Sequence, residues 1–163
     1  MSSLDLPSSM TGPPVAALVP PGKCQLGTEW TAAPLLQRFP VSETSSVLRF
    51  GLPDPTKPLL LSTCACVLAC ANIDGEEVIR PYTPISTNAA DTAGYFDLLI
   101  KHYGPTAAMS HHMHEIQAGD CVRFKHIAPN VKIQAPFDYD HICMLVGGTG
   151  TIYIVVMRAD PMF

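Results

Sequence analysis

Residues 80–86 combine the side chains of this chain that are best suited to ligand chemistry, in the order R-P-Y-T-P-I-S. Arg80 carries a planar guanidinium, whose shape matches a phosphate group. Tyr82 lies two positions further on, so in a β-strand its ring would project from the same face as Arg80. A strand with both side chains can hold a charged tail and a flat ring at once. The same residues are also compatible with an edge strand that carries a surface arginine.

A glycine-rich turn provides a second candidate site, Gly147-Gly148-Thr149-Gly150. It follows the apolar segment 141–146 and precedes a helix that could begin at residue 151. A dinucleotide site requires this strand–turn–helix context, because glycines allow the backbone to approach a pyrophosphate closely. From context alone, a plain glycine-rich turn explains the segment equally well.

Two groups of potential metal ligands are better explained without a metal. Cys64, Cys66 and Cys70 would share one face of a strand, but structural zinc prefers paired ligands and a fourth donor. Small buried thiols are the simpler interpretation. The second group is His111, His112 and His114 with Glu115. Residues 111, 114 and 115 fall on one face of a predicted helix, but no second group of ligands accompanies them. We therefore predict no metal site.

Short apolar segments between turn signals predict that strands, rather than long helices, position these residues. The segments that indicate strands are 45–52, 59–73, 77–86, 95–103, 121–125, 130–134 and 141–146. Residues 106–117 change to a helical period, and Ala118-Gly119-Asp120 ends this helix. This order predicts a mainly β chain, in which a small antiparallel barrel with one short helix precedes the first strand–turn–helix of an α/β nucleotide-binding lobe.

Length and composition limit the chain to one main domain. Its 163 residues are 47% hydrophobic with a net charge of −4, so neither nucleic acid nor an acidic membrane surface is an expected partner. No apolar run reaches the roughly 18–20 residues of a membrane span. Six cysteines without a secretory signal indicate reduced thiols and an intracellular protein of unspecified compartment. Residues 1–28 are rich in proline and are predicted to form a flexible lead.

Four segments, taken in order, resemble the NADH–cytochrome b5 reductase family of the ferredoxin–NADP reductase superfamily. They are residues 80–86, residues 94–101, Met109-Ser110 and residues 146–150. Weaker similarity extends the resemblance over residues 29–158. The resemblance implies a six-stranded antiparallel Greek-key flavin-binding barrel at 29–138, followed at 139–163 by a truncated start of the NADH-binding lobe.

The resemblance also implies a role in FAD binding for the residues around Arg80. Arg80 would pair with the flavin pyrophosphate. Pro81 and Tyr82 would lie against the isoalloxazine ring, and Thr83 would form a hydrogen bond near its reactive edge.

The second matched strand, the helix and the glycine-rich turn would complete the site. Leu99 and Lys101 would supply contacts from the strand, with a solvated surface charge as the alternative for Lys101. Met109 and Ser110 would lie at the start of the helix, whose free N–H groups and dipole attract phosphate. An ordinary cap is the alternative for Ser110. In the family the turn at 147–150 receives NADH and also touches the flavin.

The chain departs from the family pattern at several positions. Residues 151–153 read T-I-Y where the family has I-T-P, so the proline and the hydroxyl that would meet the flavin are absent. T-A-A precedes Met109 in place of glycines and a basic residue, and C-A-C at 64–66 replaces a G-Q-H-like element. A complete nucleotide lobe needs on the order of 100 residues, whereas a single unit follows the barrel here. The apolar strand 141–146 would then be exposed and favour association with another surface.

The family reaction passes a hydride from NADH to FAD and then single electrons to a haem protein such as cytochrome b5. The resemblance therefore implies a flavoprotein oxidoreductase domain with FAD as cofactor and NADH as electron donor, without a catalytic acid or base. Two alternatives are a flavin-binding remnant without catalytic competence and a subunit whose NADH lobe comes from another chain. Members of the family are commonly found at endoplasmic reticulum or mitochondrial membranes.

Overall fold

The computed structural model describes residues 23–62, 65–88, 90–127 and 145. Its elements are the strands β1 (Thr31–Ser42), β2 (Ser45–Gly51), β3 (Val67–Ile73), β4 (Glu76–Tyr82), β5 (Tyr95–Lys101) and β6 (Cys121–His126), the helix α1 (Ala108–Glu115) and a 3-10 turn at Ala90–Thr92. The lead up to residue 22, the strand predicted at 130–134 and the lobe predicted at 139–163, apart from Leu145, lie outside the described residues. In the described part of the chain, no helix is long and apolar enough to cross a membrane.

The six strands form one curled antiparallel sheet in the order β4-β3-β6-β1-β2-β5. β6 inserts between β1 and β3, which is a Greek-key connection. β1 serves both halves of the sheet, because residues 31–34 pair with β6 and residues 35–42 pair with β2. Register shifts along β1 bend the strand and help the sheet to curl. The prediction of a mainly β fold with six antiparallel strands and one short helix is confirmed.

The core lies inside the curl of the sheet and is centred on three phenylalanines. Phe50, Phe96 and Phe124 come from β2, β5 and β6, and none of them is exposed. Their ring centroids lie 5.7, 4.9 and 5.1 Å apart, which is typical of favourable aromatic pairs. α1 packs Met109 and Met113 into the same core, so the helix is held in place against the sheet.

The segment that follows β4 joins the two edges of the sheet. The Ile85 N–H donates to the Asp97 carbonyl on β5 at 2.9 Å, and the Ser86 hydroxyl accepts from the Asp97 N–H at 3.1 Å. Ile85 is fully buried beside Val47 in a second, smaller apolar cluster. The chain therefore passes from the end of β4 directly onto β5 and β2.

The structure corrects the strand predicted over residues 59–73: in the described residues of this segment, 59–62 and 65–73, the strand is limited to Val67–Ile73. Pro58 precedes the segment, and Leu60 has a positive φ of 57°, which is incompatible with a strand. Leu59 and Leu61 are nevertheless buried in the core. The apolar composition of this segment therefore reflects the burial of an irregular loop.

Two other predicted elements are shorter in the structure. The strand predicted at 77–86 ends at Tyr82, because Pro84 lacks an N–H and the chain turns toward β5. The helix predicted at 106–117 spans Ala108–Glu115. Both boundaries lie near the residues predicted to bind a ligand.

The hairpin between β3 and β4 turns at Asp74-Gly75. Asp74 has φ 52° and Gly75 has φ 85°, the positive values that a two-residue type I′ turn requires. The Asn72 side-chain oxygen accepts a hydrogen bond from the Gly75 N–H at 3.2 Å. This turn sets the register that places Arg80 opposite Ala69.

The folded region begins before the predicted boundary at residue 29. Leu26 is buried in the core with 1% of its surface exposed. The Gln25 side chain donates to the carbonyls of Lys57 and Pro58 at 2.7 and 2.8 Å and accepts from the Asp54 N–H at 3.0 Å. Residues 25 and 26 therefore belong to the barrel, and a flexible lead has to end before them.

Gly94→Ala is expected to lower the free energy of unfolding by about 2 kcal/mol. Gly94 has φ +83°, and a Cβ at this position would lie 2.8 Å from the Pro55 carbonyl oxygen. Its N–H also donates to the Lys57 carbonyl at 2.9 Å. Gly104→Ala is the matched control, because Gly104 has φ +87° with open space around its Cβ. Urea unfolding should show the larger loss for Gly94→Ala, and equal losses would contradict the clash.

Candidate functional site

A surface groove of about 430 Å³ lies between the end of β4 and the start of α1. Its volume falls in the range of roughly 300–1,000 Å³ that is usual for small-molecule sites. The walls are formed by Arg80, Pro81, Tyr82, Tyr103, Thr106, Ala107, Ala108, Met109 and Ser110. The groove therefore combines a cation, phenol rings and the first turn of a helix.

Arg80 forms the charged wall of the groove. Its guanidinium donates a hydrogen bond to the carbonyl oxygen of its neighbour Ile79 at 2.7 Å. Among the residues that the structure describes, no carboxylate lies within ion-pairing distance of Arg80. The guanidinium therefore retains N–H donors that can bind an anion in the groove.

Tyr82 lies in the same groove wall as Arg80, as the spacing along β4 predicts. Its ring is half-buried and packs against the core. Burial raises the pKa of Tyr82 to about 12, although the charge of Arg80 acts in the opposite direction. The phenol is therefore protonated at neutral pH and presents a flat, uncharged ring with a hydroxyl donor.

The first turn of α1 forms another wall of the groove. Ala107 is the N-cap residue and provides no side-chain hydrogen bond to the turn. The Ser110 hydroxyl donates to the Ala107 carbonyl at 3.1 Å and accepts from the Tyr103 N–H at 3.4 Å. Helix N–H groups without a side-chain cap attract anions. The helix start and Arg80 thus favour negative charge in the same groove.

The structure brings part of the predicted set of site residues together in this groove. Arg80, Pro81, Tyr82, Met109 and Ser110 are the predicted residues in its walls. Thr83, Leu99 and Lys101 lie outside the walls, since Thr83 follows the end of β4, Leu99 packs in the second apolar cluster and Lys101 is exposed. The predicted residues that lie outside the described part of the chain are Gly147, Gly148, Thr149 and Gly150.

Tyr103 is a groove residue that the sequence motifs did not indicate. Its side chain is 55% exposed, and the Lys101 ammonium lies 5.3 Å from its ring centroid. Lys101 therefore approaches the groove through Tyr103. Strand alternation could have indicated Tyr103, because it lies two positions beyond the predicted site residue Lys101 and would share its strand face. Thr106, Ala107 and Ala108 carried no such signal, since their sequence departs from the family pattern.

Comparison with known proteins identifies the family. The model of the oxidoreductase FAD-binding domain matches residues 32–133, a range that includes the whole groove. The chain belongs to the oxidoreductase FAD-binding domain family. FAD is therefore the cofactor of the family, as the sequence predicted.

Curated relatives of this FAD-binding domain include NADH–cytochrome b5 reductases. The chain is 40% identical over 123 residues to NADH-cytochrome b5 reductase 1 of Lodderomyces elongisporus, and 37% identical over 135 residues to the protein of that name from Aspergillus clavatus. These alignments cover 72% and 81% of this chain, but 38% and 42% of the relatives. The chain thus spans about two-fifths of the length of these relatives.

A solved structure shows the same resemblance. The cytochrome b5 reductase domain of Ulva prolifera nitrate reductase matches with a TM-score of 0.56 at 29% identity, over 63% of this chain and 42% of that chain. Together with the curated relatives, it confirms the predicted resemblance of this FAD-binding domain to the cytochrome b5 reductases.

Arg38 holds the end of α1 that is distant from the groove. Its guanidinium donates to the carbonyl oxygens of Met113, His114 and Ile116 at 3.0, 3.0 and 3.1 Å. Carbonyls at a helix C-terminus need such partners, and a cation there also interacts favourably with the helix dipole. Partial burial lowers the pKa of Arg38, while the nearby Glu115 acts in the opposite direction. Arg38 thus anchors α1 to β1.

A buried ion pair lies on the strands that support the groove. Arg49 on β2 donates twice to the Asp97 carboxylate on β5, with both N···O distances at 2.9 Å. The Asp97 side chain is fully buried, and the Arg49 guanidinium lies 3.6 Å from the Tyr95 ring centroid. Partial burial lowers the pKa of Arg49, but its bonds to Asp97 raise the pKa above the ordinary value. Because the Asp97 backbone also pairs with residues 85 and 86, the ion pair supports the segment that continues from Tyr82.

The cysteines interpreted as buried thiols differ in their surroundings. Cys70 is buried and Cys66 is half-buried, while Cys64 lies outside the described residues. Arg123 donates to the Cys70 sulfur at 3.0 Å, and burial raises the pKa of the Cys70 thiol. A buried, protonated thiol is a poor metal ligand. Within the described ranges, no group of three His, Cys, Asp or Glu side chains is arranged to hold a metal ion.

Proposed function

We propose that the groove between β4 and α1 binds FAD. The convergence of Arg80, Tyr82 and the uncapped first turn of α1 on one groove carries this proposal. An arginine and a helix N-terminus suit a pyrophosphate, and an aromatic ring suits a flat flavin. Membership of the oxidoreductase FAD-binding domain family supports the same ligand.

In the proposed complex, each wall of the groove binds a different part of the cofactor. Arg80 and the N–H groups of Met109 and Ser110 bind the pyrophosphate. Pro81 and the Tyr82 ring lie against the isoalloxazine ring, which orients its reactive edge. The protonated Tyr82 hydroxyl adds a neutral donor, consistent with its raised pKa.

The remaining predicted residues are proposed to act at the borders of the groove. Thr83 directly follows the groove residue Tyr82 and donates near the reactive edge of the flavin. Leu99 supports the flavin from β5, and Lys101 adds positive charge beside Tyr103. The turn at 147–150 is proposed to contact NADH and the flavin.

We further propose that the domain passes electrons from NADH, through FAD, to a haem protein such as cytochrome b5. The names of the curated relatives include both NADH and cytochrome b5. Flavin supplies the hydride and single-electron chemistry, and the chain's own residues bind and orient it. A second arrangement is that another chain supplies the NADH lobe.

FAD binding by the purified full chain tests the proposed function. We expect added FAD to co-elute with the protein, to shift its visible absorption on binding and to be released intact on denaturation. Protein that stays colourless in a large excess of FAD would contradict the proposal. Free riboflavin and AMP serve as probes for the two halves of the cofactor.

Anaerobic NADH addition to the FAD-loaded chain tests the electron-transfer step. Bleaching of the flavin absorption in the chain alone supports hydride transfer within one polypeptide. Bleaching only after a separate NADH-binding reductase lobe is added supports the two-chain arrangement. If FAD binds but neither mixture is bleached, the NADH proposal is wrong while the flavin site stands.

We also propose an intracellular, reducing location. Cys24, Cys70 and Cys121 form no disulfide bond. Burial raises the pKa of Cys24 to about 11, so this thiol is unreactive at neutral pH. Cell fractionation checks the location, and recovery of the protein from the culture medium would contradict it.

A further inference from the structure

Three histidines form a contiguous cluster where the end of β5 meets α1. The His102 Nε2 atom lies 3.1 Å from the His111 Nδ1 atom. The His102 and His114 rings stack with centroids 4.2 Å apart and planes 6° from parallel. The His102 N–H donates to the Thr44 carbonyl at 2.7 Å, which holds the backbone of His102 against the β1–β2 hairpin. We call His102, His111 and His114 the histidine cluster.

Charged groups of both signs lie near the histidine cluster. Arg38 from β1 lines the same small cavity as His102 and His114. Glu115 on α1 is the carboxylate that acts on His102, and Lys101 is its cationic neighbour on β5. The neutral polar side chains that line this cavity are Thr44, Ser46 and Ser110. A proton added to His102 is therefore opposed by His114 and His111 and favoured by Glu115.

The contacts of the cluster depend on the number of protons that it carries. The His102–His111 contact needs one hydrogen between the two nitrogens, so it breaks when both nitrogens are protonated. Two stacked imidazolium rings at the His102–His114 distance would also repel each other. Half-burial lowers the pKa of His102. The neighbouring His114 and His111 rings lower this pKa further, whereas Glu115 acts in the opposite direction. The cluster is therefore most compatible with neutral rings.

We propose that the histidine cluster is a pH-sensitive contact that holds α1 on β5 when it is neutral and releases the helix on acidification. The sign follows from linkage: the folded state binds fewer protons than the unfolded chain. The stabilisation is intact above the ordinary histidine pKa of 6.5 and is lost as the pH falls below it. Ser110 lines both the small cavity and the groove, so the release would reach the groove. Loss of FAD on acidification is a consequence that rests on the proposed function.

Hydrogen exchange of the full chain without FAD tests this proposal independently of flavin binding. The probes are the amides of α1 (Ala108–Glu115), after correction for the pH dependence of intrinsic exchange. Between about pH 7.5 and about pH 5.5, we expect the opening constant of α1 to rise about tenfold in the wild type. In His102→Gln, which cannot take up a proton, the rise should be about threefold or less. The remaining rise is assigned to His112, whose pKa is also lowered by burial.

Matched variants distinguish the cluster from general effects of acid. His126→Gln removes a histidine of β6 outside the cluster and should retain the response of the wild type. If His102→Gln does not fold, His114→Gln provides the same test through the stacked partner. A wild-type opening constant that is independent of pH would overturn the proposal. An unchanged response in the folded cluster variant would overturn it as well.

Discussion

Arg49→Met is expected to lower the free energy of unfolding by about 3–5 kcal/mol, because it removes the cation bonded to a buried carboxylate. Asp97 has no exposed surface, so water cannot replace the two hydrogen bonds from Arg49. The free energy of unfolding of an ordinary domain is about 5–15 kcal/mol, so the expected loss is a large share of it. Urea unfolding measures it, and with a slope of about 1–3 kcal/mol per M the midpoint should fall by more than about 1 M.

Two controls separate this buried pair from an ordinary surface ion pair. Arg123→Met removes the cation of the Arg123–Glu77 pair, whose side chains are 42% and 51% exposed. It also removes the Arg123 hydrogen bond to the Cys70 sulfur, so it should cost about 1–2 kcal/mol. The double variant Arg49→Met, Asp97→Leu should recover much of the loss, because no buried charge remains. If Arg49→Met costs no more than Arg123→Met, the Arg49–Asp97 pair does not stabilise the barrel as described.

Arg80→Ala is expected to weaken FAD binding about 10- to 100-fold. Hydrogen bonds to a charged ligand contribute about 1.5–3 kcal/mol, and each 1.4 kcal/mol corresponds to about tenfold in Kd. The folded state should be little affected, since Arg80 is exposed and no described carboxylate pairs with it. Titration of the apo chain with FAD at fixed salt concentration measures the change. Arg80→Lys should recover only part of the affinity, because an ammonium cannot fork onto a phosphate.

Riboflavin is the matched ligand for the Arg80 prediction, because it has the flavin ring without the pyrophosphate. Wild type and Arg80→Ala should bind riboflavin with the same affinity. Arg123→Ala removes an arginine outside the groove and should leave the Kd for FAD unchanged within about twofold. An equal affinity of wild type and Arg80→Ala for FAD would show that Arg80 does not bind the pyrophosphate.

Strand alternation predicted the fold best where one face of a strand meets the core. Phe96, Leu98 and Ile100 lie at alternate positions of β5, and all three are buried. The prediction of a strand over the whole of residues 59–73 was wrong, because an apolar composition indicates that a segment is buried but does not determine its backbone conformation. The positive φ of Leu60 is a local conformation that a strand cannot contain. No strand was predicted at β1, whose prolines at 34 and 40 disfavour a strand and are accommodated near register shifts.

The spacing of Arg80 and Tyr82 predicted that both side chains lie in one groove wall, because residues two positions apart in a strand project from the same face. It could not show that Tyr103 and residues 106–108 complete the same groove, since the packing of α1 against β4 is a long-range contact. The Arg49–Asp97 pair was missed for a similar reason. The contact between Arg49 and Asp97 depends on the register between β2 and β5, and no motif in either strand predicts this register.

The hydrogen bonds of Gln25 determine where a minimal fragment of this domain can be cut. The family match begins at residue 32, six positions after the buried Leu26. A fragment trimmed to that limit would open an apolar hole and detach the 54–58 loop from its amide partner. The same loop receives the Gly94 N–H, so damage at the cut would reach the beginning of β5. A soluble expression fragment should therefore start no later than Cys24, whatever limit sequence alignment suggests.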